Sequence, residues 1–359
     1  MTRRDILKFG GTAALAAASS ALGATPPSRR LLILGGTSFL GPQLTTSALS
    51  RGWQVTHFNR GRRDPDGVPG VETLTGDRDA QLDALRGREW DAVVDTSGYV
   101  PRHVALSAGL LAPAVGQYVF ISSISVYAGF GKPNDESAPV GKLADETVEK
   151  VDGGTYGPLK ALCEAAAEKA LPGRTTIIRP GLIVGPLDPT DRFTYWPARV
   201  ARGGEVLAPG APGDPIQVID VRDLAEWTLS LVERKVVGVF NAVSPPRRFT
   251  MGGLLQDCVT AAGSAATLTW VDAAFLAAQK VEPWSDMPVW VPPSGGDGAI
   301  SLTPADRALA AGMPVRPLID TVRDTLAWFQ GLPGERRGAL RSGLRAERER
   351  EVLAAWHKR

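Results

Sequence analysis

Residues 31–41, LLILGGTSFLG, form the stretch that decides the fold of this chain. The first four residues are apolar, as in a buried parallel strand, and Gly35 and Gly36 allow a tight turn with a close backbone approach. A helical pattern starts near Gly41, where the first amide groups and the helix dipole can hold a pyrophosphate. The stretch therefore predicts the first turn of a dinucleotide-binding fold, with an ordinary strand–turn–helix as the alternative.

Composition places the chain among globular proteins and gives no sign of a nucleic-acid or metal partner. Its 359 residues are 43% hydrophobic and 22% charged, with a formal net charge of +2. No long basic face is visible, so we expect no nucleic acid as partner. Cys163 and Cys258 form no C-x-x-C pair, and the three histidines show no metal-ligand spacing. We therefore expect neither a disulfide framework nor a metal site.

Residues 1–24 are predicted to be a targeting segment outside the fold. The paired Arg3 and Arg4 lie in T-R-R-x-I-L-K, and an Ala-rich run follows to about Gly23. This pattern is that of a twin-arginine signal peptide, so we expect export through the Tat machinery to the periplasm or the cell exterior. A disordered basic tail is the alternative. The run is too short for a good membrane-spanning helix, so no stable membrane insertion is expected.

Strand and helix patterns alternate from residue 29 onwards. This alternation predicts an α/β fold, a Rossmann-type doubly wound parallel sheet, over residues 29–185. Residues 216–243 are expected to return to this sheet. The predicted strands are 31–34, 55–58, one closing at 74–77, 92–95, 118–122, 216–220 and 238–243, and the predicted helices include 41–51, 101–112, 155–171 and 221–233.

The end of the second strand bears on the choice of cofactor. A free ribose 2′-hydroxyl usually meets an acidic residue about 20 residues after the glycines. Asn59 stands there instead, followed by Arg60, Arg62 and Arg63. No acid would repel a 2′-phosphate and three guanidinium groups could pair with it, so we predict NADP, with NAD as the alternative. A solvated basic loop would explain the same arginines.

Tyr156 and Lys160 are four residues apart at the start of a predicted helix, so both face the same way. An ammonium group near a phenol lowers its pKa, and a nearby serine hydroxyl can hydrogen-bond a substrate oxygen. Together these groups can move a proton while hydride passes to or from a nicotinamide. The preceding strand supplies Ser122, Ser123 and Ser125 at its end. A surface helix with an ordinary lysine is the alternative.

These motifs resemble those of the extended short-chain dehydrogenase/reductases, in the NAD-dependent epimerase/dehydratase group. The resemblance covers residues 29–330 and rests on GGTSFLG, ISSISVYAG, YGPLK, IIRPGLIVGP and QVIDVRDLAEW. Within that group the chain is most similar to a branch that includes chloroplast stem-loop RNA-binding proteins. The F-N-R-G after the second strand and D-P-T-D-R-F at 188–193 carry this closer similarity.

The resemblance implies catalytic roles at three positions. Tyr156 would be the acid/base, Lys160 would lower its pKa and hold the nicotinamide ribose, and Ser123 would hydrogen-bond the substrate, with Ser122 and Ser125 as close alternatives. The implied cofactor contacts are Gly35, Ser38, Phe39, Leu40 and Gly41 at the pyrophosphate, Asn59 and Arg60 at the adenosine ribose, Asp77 at the adenine, and Thr96 at the edge of the sheet.

Two motifs depart from the pattern of the group. Ser38 replaces a common glycine but still offers its amide. Leu182 and Val184 stand where nucleotide-sugar epimerases commonly have asparagine and tyrosine. This motif therefore gives no support to a nucleotide-sugar substrate.

Residues 186–215 and 244–330 are predicted to form a smaller, discontinuous substrate-binding domain. Within it, Arg192, Tyr195 and Trp196 could bind a sugar-like ligand or simply pack. The segment 281–293, rich in tryptophan and proline, is interpreted as a substrate lid, with a hydrophobic plug as the alternative. The charged tail 331–359 is predicted to be a solvated or loosely attached helix.

The sequence thus predicts an NAD(P)-dependent enzyme acting on an alcohol or ketone of a small, sugar-like molecule or nucleotide sugar. An epimerase or dehydratase would regenerate its cofactor in each turnover, whereas a reductase would consume it. The alternative is a non-catalytic nucleotide- or RNA-binding protein with the same fold. The resemblance also implies a possible homodimer through the helices 101–112 and 155–171.

Overall fold

The computed structural model describes residues 29–62 and 68–359. The predicted signal peptide at 1–24 and Arg63 lie outside these described residues. The strands are β1 Arg30–Leu34, β2 Gln54–Asn59, β3 Glu72–Thr75, β4 Trp90–Asp95, β5 Val115–Ile121, β6 Thr175–Pro180, β7 Leu182–Val184, β8 Glu205–Pro209, β9 Pro215–Ile216, β10 Val218–Asp220, β11 Gly238–Ala242, β12 Phe249–Thr250 and β13 Thr267–Val271.

The helices join these strands and complete the chain. They are α1 Leu40–Ser50, α2 Pro101–Leu111, α3 Tyr156–Ala170, α4 Tyr195–Ala201, α5 Val221–Glu233, α6 Met251–Ala262, α7 Ala273–Ala278, α8 Asp306–Ala310, α9 Leu318–Gln330, α10 Gly334–Gly338 and α11 Ala346–Trp356. Among the described residues, no helix is long and apolar enough to cross a membrane.

Seven parallel strands form the main sheet, in the order β11-β6-β5-β4-β1-β2-β3. Because successive side chains of a strand point to opposite faces, both faces of β1 are apolar. Leu31 and Ile33 are buried in the core that α1 and α5 cover, and Leu32 and Leu34 are buried in the core under α2 and α3. This order, with helices on both faces, confirms the prediction of a Rossmann-type doubly wound sheet.

The prediction of a single strand at 216–220 in the main sheet is wrong. The segment divides into β9, which pairs with β12, and β10, which pairs with β7. Between them the buried Gln217 side chain donates to the carbonyls of Ser244 (2.7 Å) and Thr303 (2.9 Å). These bonds interrupt the strand, and β11 takes the edge of the main sheet beside β6. Helix α5 and strand β11 do return to the sheet, as predicted.

A second core gathers residues of α4, α6, α9 and α11 with the parallel pair β8 and β13. The segment 281–293 belongs to this core: Met287, Val289 and Trp290 are at most 2% exposed. The indole of Trp290 also donates to the Asp214 carboxylate at 2.8 Å. This burial favours the hydrophobic plug, and the interpretation as a substrate lid is wrong for these three side chains.

The tail 331–359 is packed, which corrects the prediction of a loosely attached helix. In α11, Val352 and Leu353 are buried in the second core. Glu349 is 2% exposed and accepts a hydrogen bond from Arg199 Nε at 2.6 Å and another from the backbone N–H of Leu207 at 3.1 Å. Composition could not show that the tail is packed. The helix is highly charged, and a single buried glutamate, Glu349, anchors it.

Candidate active site

The turn between β1 and α1 is shaped so that only glycine fits at three positions. Gly35 has φ +90°, and a Cβ on it would lie 2.7 Å from the Ser97 Cβ. A Cβ on Gly36 would lie 2.6 Å from the His57 ring, and one on Gly41 would lie 2.4 Å from the carbonyl carbon of Gly36. A backbone surface without side chains is what a pyrophosphate needs for close approach.

The residues that follow the glycines offer backbone rather than side chains to a ligand. Phe39, with φ +46°, precedes α1, and no side chain in the described part of the chain caps the first amides of the helix. The Phe39 and Leu40 side chains pack into the sheet core, while the Ser38 carbonyl accepts the Gly41 N–H at 3.0 Å. Amides of this kind are the groups that a dinucleotide pyrophosphate would bind, and the contacts at this turn stay a prediction.

Thr96 fixes the turn from the neighbouring strand end. Its hydroxyl donates to the carbonyls of Leu34 (2.9 Å) and Gly35 (3.2 Å). The structure therefore uses the Thr96 hydroxyl to hold the glycine turn in place.

Asn59, Arg60 and Asp77 lie at the adjacent ends of β2 and β3. The Asn59 Oδ1 accepts the Gly61 N–H at 2.8 Å, which turns the chain at the end of β2. The Arg60 side chain is exposed, and Asp77 is partly buried with its Oδ1 accepting the Asp79 N–H at 3.1 Å. Of the three predicted arginines, Arg60 and Arg62 are exposed and Arg63 falls outside the described part of the chain.

Ser123 and Tyr156 meet at the carboxyl end of β5. Ser123 caps a 3-10 turn at 124–126, where its Oγ accepts the Ser125 N–H at 3.1 Å. The Tyr156 phenol lies close enough to Ser123 for the serine hydroxyl to act on its pKa, in the downward direction. Ser122 instead donates to the buried Glu164 at 2.5 Å. Of the serines 122 and 123, Ser123 is therefore the one that acts on the phenol.

Lys160 lies one helical turn beyond Tyr156 and is 2% exposed. Its Nζ donates to the carbonyls of Gly98 (2.8 Å) and Ile121 (2.7 Å) and lies 4.2 Å from the centre of the Phe120 ring. These two bonds leave the third N–H of the ammonium for a ligand. Burial lowers the pKa of Lys160 to about 8.

The protonation of Tyr156 differs from the expectation. Burial raises the pKa of its phenol, and neither the nearby Ser123 hydroxyl nor the charge of Arg192 cancels that rise. The sequence predicts a pKa lowered by Lys160, whereas the net shift in this structure is upward. Tyr156 therefore holds its proton across the neutral range.

Sequence reasoning missed a buried ion pair below the same edge of the sheet. Arg78 binds both oxygens of Asp95, each at 2.7 Å, and Tyr118 donates to Asp95 Oδ2 at 2.7 Å. Arg78 also donates to Ser107 at 2.8 Å, which attaches α2 to the cluster. The signal in the sequence was Asp95, a charged residue at the end of the otherwise apolar run 92–95, which indicates a buried partner of opposite charge. The charge of Asp95 also raises the pKa of Lys160 against the larger effect of burial.

The segment after β7 brings Arg192 to the site but not its aromatic neighbours. Tyr195 and Trp196 are at most 1% exposed, and the Trp196 indole donates to the Pro288 carbonyl at 2.7 Å. These two rings pack, so they are not ligand contacts. Arg192 is partly buried, with its guanidinium 5.7 Å from the centre of the Trp284 ring. Among the described residues, no group of three or more His, Cys, Asp or Glu could hold a metal ion.

One curated protein is similar in sequence to this chain over part of its length. Chloroplast stem-loop binding protein of 41 kDa b from Arabidopsis thaliana is 27% identical over 261 residues, or 66% of this chain. The chain spans 64% of the length of that relative.

Solved structures share the fold over most of this chain. Human epimerase family protein SDR39U1, solved with NADPH, has a TM-score of 0.56 at 23% identity and covers 84% of this chain and 100% of its own. UDP-glucose 4-epimerase from Thermus thermophilus, solved with NAD, has a TM-score of 0.59 at 19% identity and covers 85% and 100%. A family model matches residues 31–242, more than half of the chain. The chain belongs to the NAD dependent epimerase/dehydratase family.

Proposed function

We propose that this protein is a nicotinamide-dependent oxidoreductase-type enzyme that acts on an alcohol or ketone of a small, sugar-like molecule. The observation that carries the proposal is the meeting of Ser123, Tyr156 and Lys160 at the sheet edge that also holds the glycine turn. Ligands bind outside the carboxyl ends of the strands in open parallel sheets. A proton-transfer group and a cofactor cradle would therefore share one edge of the sheet.

The three side chains divide the proton chemistry of such a reaction. When bound, a nicotinamide cofactor would supply the hydride acceptor or donor. Tyr156 holds a proton that it can give to a developing alkoxide oxygen, and Ser123 can hydrogen-bond the same oxygen. Lys160 is fixed by two carbonyls, which leaves one N–H to orient a ribose hydroxyl. In the reverse direction the phenol oxygen would take the proton back.

We infer NADP as the cofactor, with NAD as the alternative. The inference is supported by the exposed Arg60 and by Asn59, whose side-chain oxygen is already bonded to the Gly61 N–H. A titration with both cofactors tests it. Tighter binding of NADP that is lost in Arg60→Ala supports Arg60 as a phosphate ligand, and a preference for NAD contradicts it.

The substrate mode depends on where the protein works, and we propose export by the twin-arginine route. The proposal is supported by Arg3 and Arg4 in the sequence. Free nicotinamide cofactor is expected to be scarce outside the cytoplasm, which favours an epimerase or dehydratase that recycles a retained cofactor. Cell fractionation of a variant with Arg3→Lys and Arg4→Lys tests this, since an unchanged location would overturn it.

Replacement of the phenol hydroxyl tests the enzymatic proposal. Tyr156→Phe keeps the ring and removes the proton donor, so we expect turnover to fall by roughly 10²-fold or more while nucleotide binding persists. The assay is hydride transfer, followed at the nicotinamide absorbance, across a panel of sugars, sugar acids and nucleotide sugars. Equal turnover in the variant would exclude the proposed role of Tyr156.

A second candidate is a binding protein without turnover, favoured by the name of the Arabidopsis thaliana relative, a stem-loop binding protein. RNA binding would be seen as salt-sensitive retention of RNA on a filter. Tight retention that Tyr156→Phe leaves unchanged would support this candidate over the enzyme.

A homodimer through α2 and α3 is a further part of the proposal. The two helices pack beside each other on one face of the sheet, and Leu106 of α2 is 41% exposed. Sedimentation of the protein with Leu106→Glu tests this, because a dimer through this surface should dissociate.

A further inference from the structure

Arg192 is a cation without an anionic partner in the part of the chain that the structure describes. Its backbone N–H contacts the Thr190 hydroxyl at 3.3 Å, and among the described residues its guanidinium contacts only the Trp284 ring. The side chain is partly buried, where an unpaired charge is costly. Such a group is stabilised when an anion binds beside it.

The acids nearest in sequence do not neutralise this charge. Asp191 is fully buried, and its two oxygens accept bonds from Arg336 Nη2 at 2.5 Å and from the Arg341 N–H at 2.9 Å. Asp188 is 1% exposed and turns its Oδ1 to the N–H and hydroxyl of Thr190, at 2.8 and 2.7 Å. Both carboxylates are thus turned to their own loop or to the C-terminal segment.

The loop that carries Arg192 lies where a substrate would meet Tyr156. It follows β6 and β7, and β6 is the neighbour of β5, whose carboxyl end carries Ser123. The charge of Arg192 acts on the Tyr156 phenol. The guanidinium and the phenol therefore lie near each other at the carboxyl ends of these strands.

Building on the oxidoreductase function proposed above, we propose that the substrate carries an anionic group, a carboxylate or a phosphate, that Arg192 binds beside the reacting alcohol or ketone. A guanidinium presents a planar set of donors that matches either anion with two parallel hydrogen bonds. The Trp284 ring centre lies 5.7 Å from the guanidinium, within the range of a cation–π contact, and a ring offers no hydrogen-bond acceptor oxygen to these donors. A neutral sugar would leave the partly buried charge unpaired.

Chemical modification can measure how well anions protect Arg192 in comparison with the other arginines. The protein loaded with nicotinamide nucleotide is treated with phenylglyoxal, and the rate of modification of each arginine is followed by peptide mass spectrometry. Inorganic phosphate and malonate are the two anionic probes, and glycerol is the neutral one. Loading with nucleotide keeps phosphate away from the glycine turn.

We expect phosphate or malonate to slow modification of Arg192 roughly tenfold, while glycerol has no effect. Arg248 is the internal control, because its guanidinium also lies near a ring, 5.6 Å from the centre of Phe249, and it has no carboxylate partner among residues 29–62 and 68–359. The anion that protects Arg192 better distinguishes a phosphate from a carboxylate. Unchanged modification with both anions, or equal slowing at Arg248, overturns the proposal.

Two variants separate this inference from the proposed function. A rise in thermal midpoint with the protecting anion should be lost in Arg192→Gln and kept in Arg248→Gln, and its persistence in Arg192→Gln would contradict the proposal. Protection of Arg192 should persist in Tyr156→Phe, whose turnover tests the enzyme alone. Unchanged turnover in Tyr156→Phe would thus contradict the oxidoreductase function, while the anion site could still be present.

Discussion

At the scale of single residues, Lys160 shows how the site balances burial against charge. Its ammonium is enclosed, yet it is held by two carbonyl oxygens and lies over the Phe120 ring. Burial disfavours the charged form and lowers the pKa to about 8, whereas an unfolded lysine titrates near 10.4. As pH rises, Lys160 therefore loses its proton in the folded protein at a lower pH than in the unfolded chain.

The stability of the protein should carry this signature. Between about pH 8 and 10.4 the unfolded chain binds more protons at this residue than the folded protein, so the free energy of unfolding rises with pH by about 1 kcal/mol per unit from Lys160 alone. Lys160→Met removes the titration. We expect the stability advantage of this variant over the parent protein to shrink as pH rises through that window.

Urea unfolding at several pH values measures the difference. Lys169→Met, at an exposed position of the same helix, is the matched control. A difference between Lys160→Met and the parent that stays constant with pH would show that burial does not depress this pKa.

At the scale of elements, the glycine turn is the most constrained junction of the chain. A Cβ on Gly41 would lie 2.4 Å from the backbone of Gly36, which cannot move aside as a flexible side chain could. We expect Gly41→Ala to abolish measurable nucleotide binding, followed by calorimetric titration. Gly109→Ala is the control because its Cβ meets nothing within 4 Å, so it should bind normally and unfold no earlier.

The C-terminal segment is a second element that shapes the site. Arg336 of α10 holds the buried Asp191, next to Arg192, while the adjacent Arg337 is exposed. Arg336→Ala should weaken protection of Arg192 by phosphate or malonate several-fold, since the loop loses a charge-assisted bond. Arg337→Ala should leave it intact. Equal protection in both variants would rule out Arg336 as a positioning residue.

Elements whose signals are local could be predicted from the sequence, and those fixed by distant partners could not. The glycine turn and the spacing of Tyr156 and Lys160 are contained within a few residues, and both form as predicted. The interruption at Gln217 depends on the Thr303 carbonyl, 86 residues away, and the Arg78–Asp95 pair spans 17 residues. The sign of the Tyr156 pKa shift also depends on burial, which periodicity alone does not reveal.

At the scale of the whole molecule, the tail and the second core form one unit through a buried ion pair. Arg199 and Glu349 are 9% and 3% exposed at their side chains. Glu349→Ala leaves a buried guanidinium without its carboxylate, so we expect a loss of roughly 3–5 kcal/mol in the free energy of unfolding. Chemical denaturation measures it.

The same helix supplies a control for this prediction. Glu347 pairs with Arg350, and both side chains are about three-quarters exposed, at 75% and 74%. Glu347→Ala should cost less than about 1 kcal/mol. Similar losses for the two variants would mean that the tail does not stabilise the second core through Glu349.

The nucleotide carried by the protein tests the central claim most directly. The chain without residues 1–24 is purified gently and denatured, and the released small molecules are identified by mass spectrometry, followed by titration of the stripped protein with NADP and NAD. The account predicts near-stoichiometric release of a nicotinamide dinucleotide, or micromolar binding of one of the two in the titration. If the protein releases no nicotinamide dinucleotide and also binds neither NADP nor NAD, that result would contradict a nicotinamide-dependent enzyme built on the glycine turn, Tyr156 and Lys160.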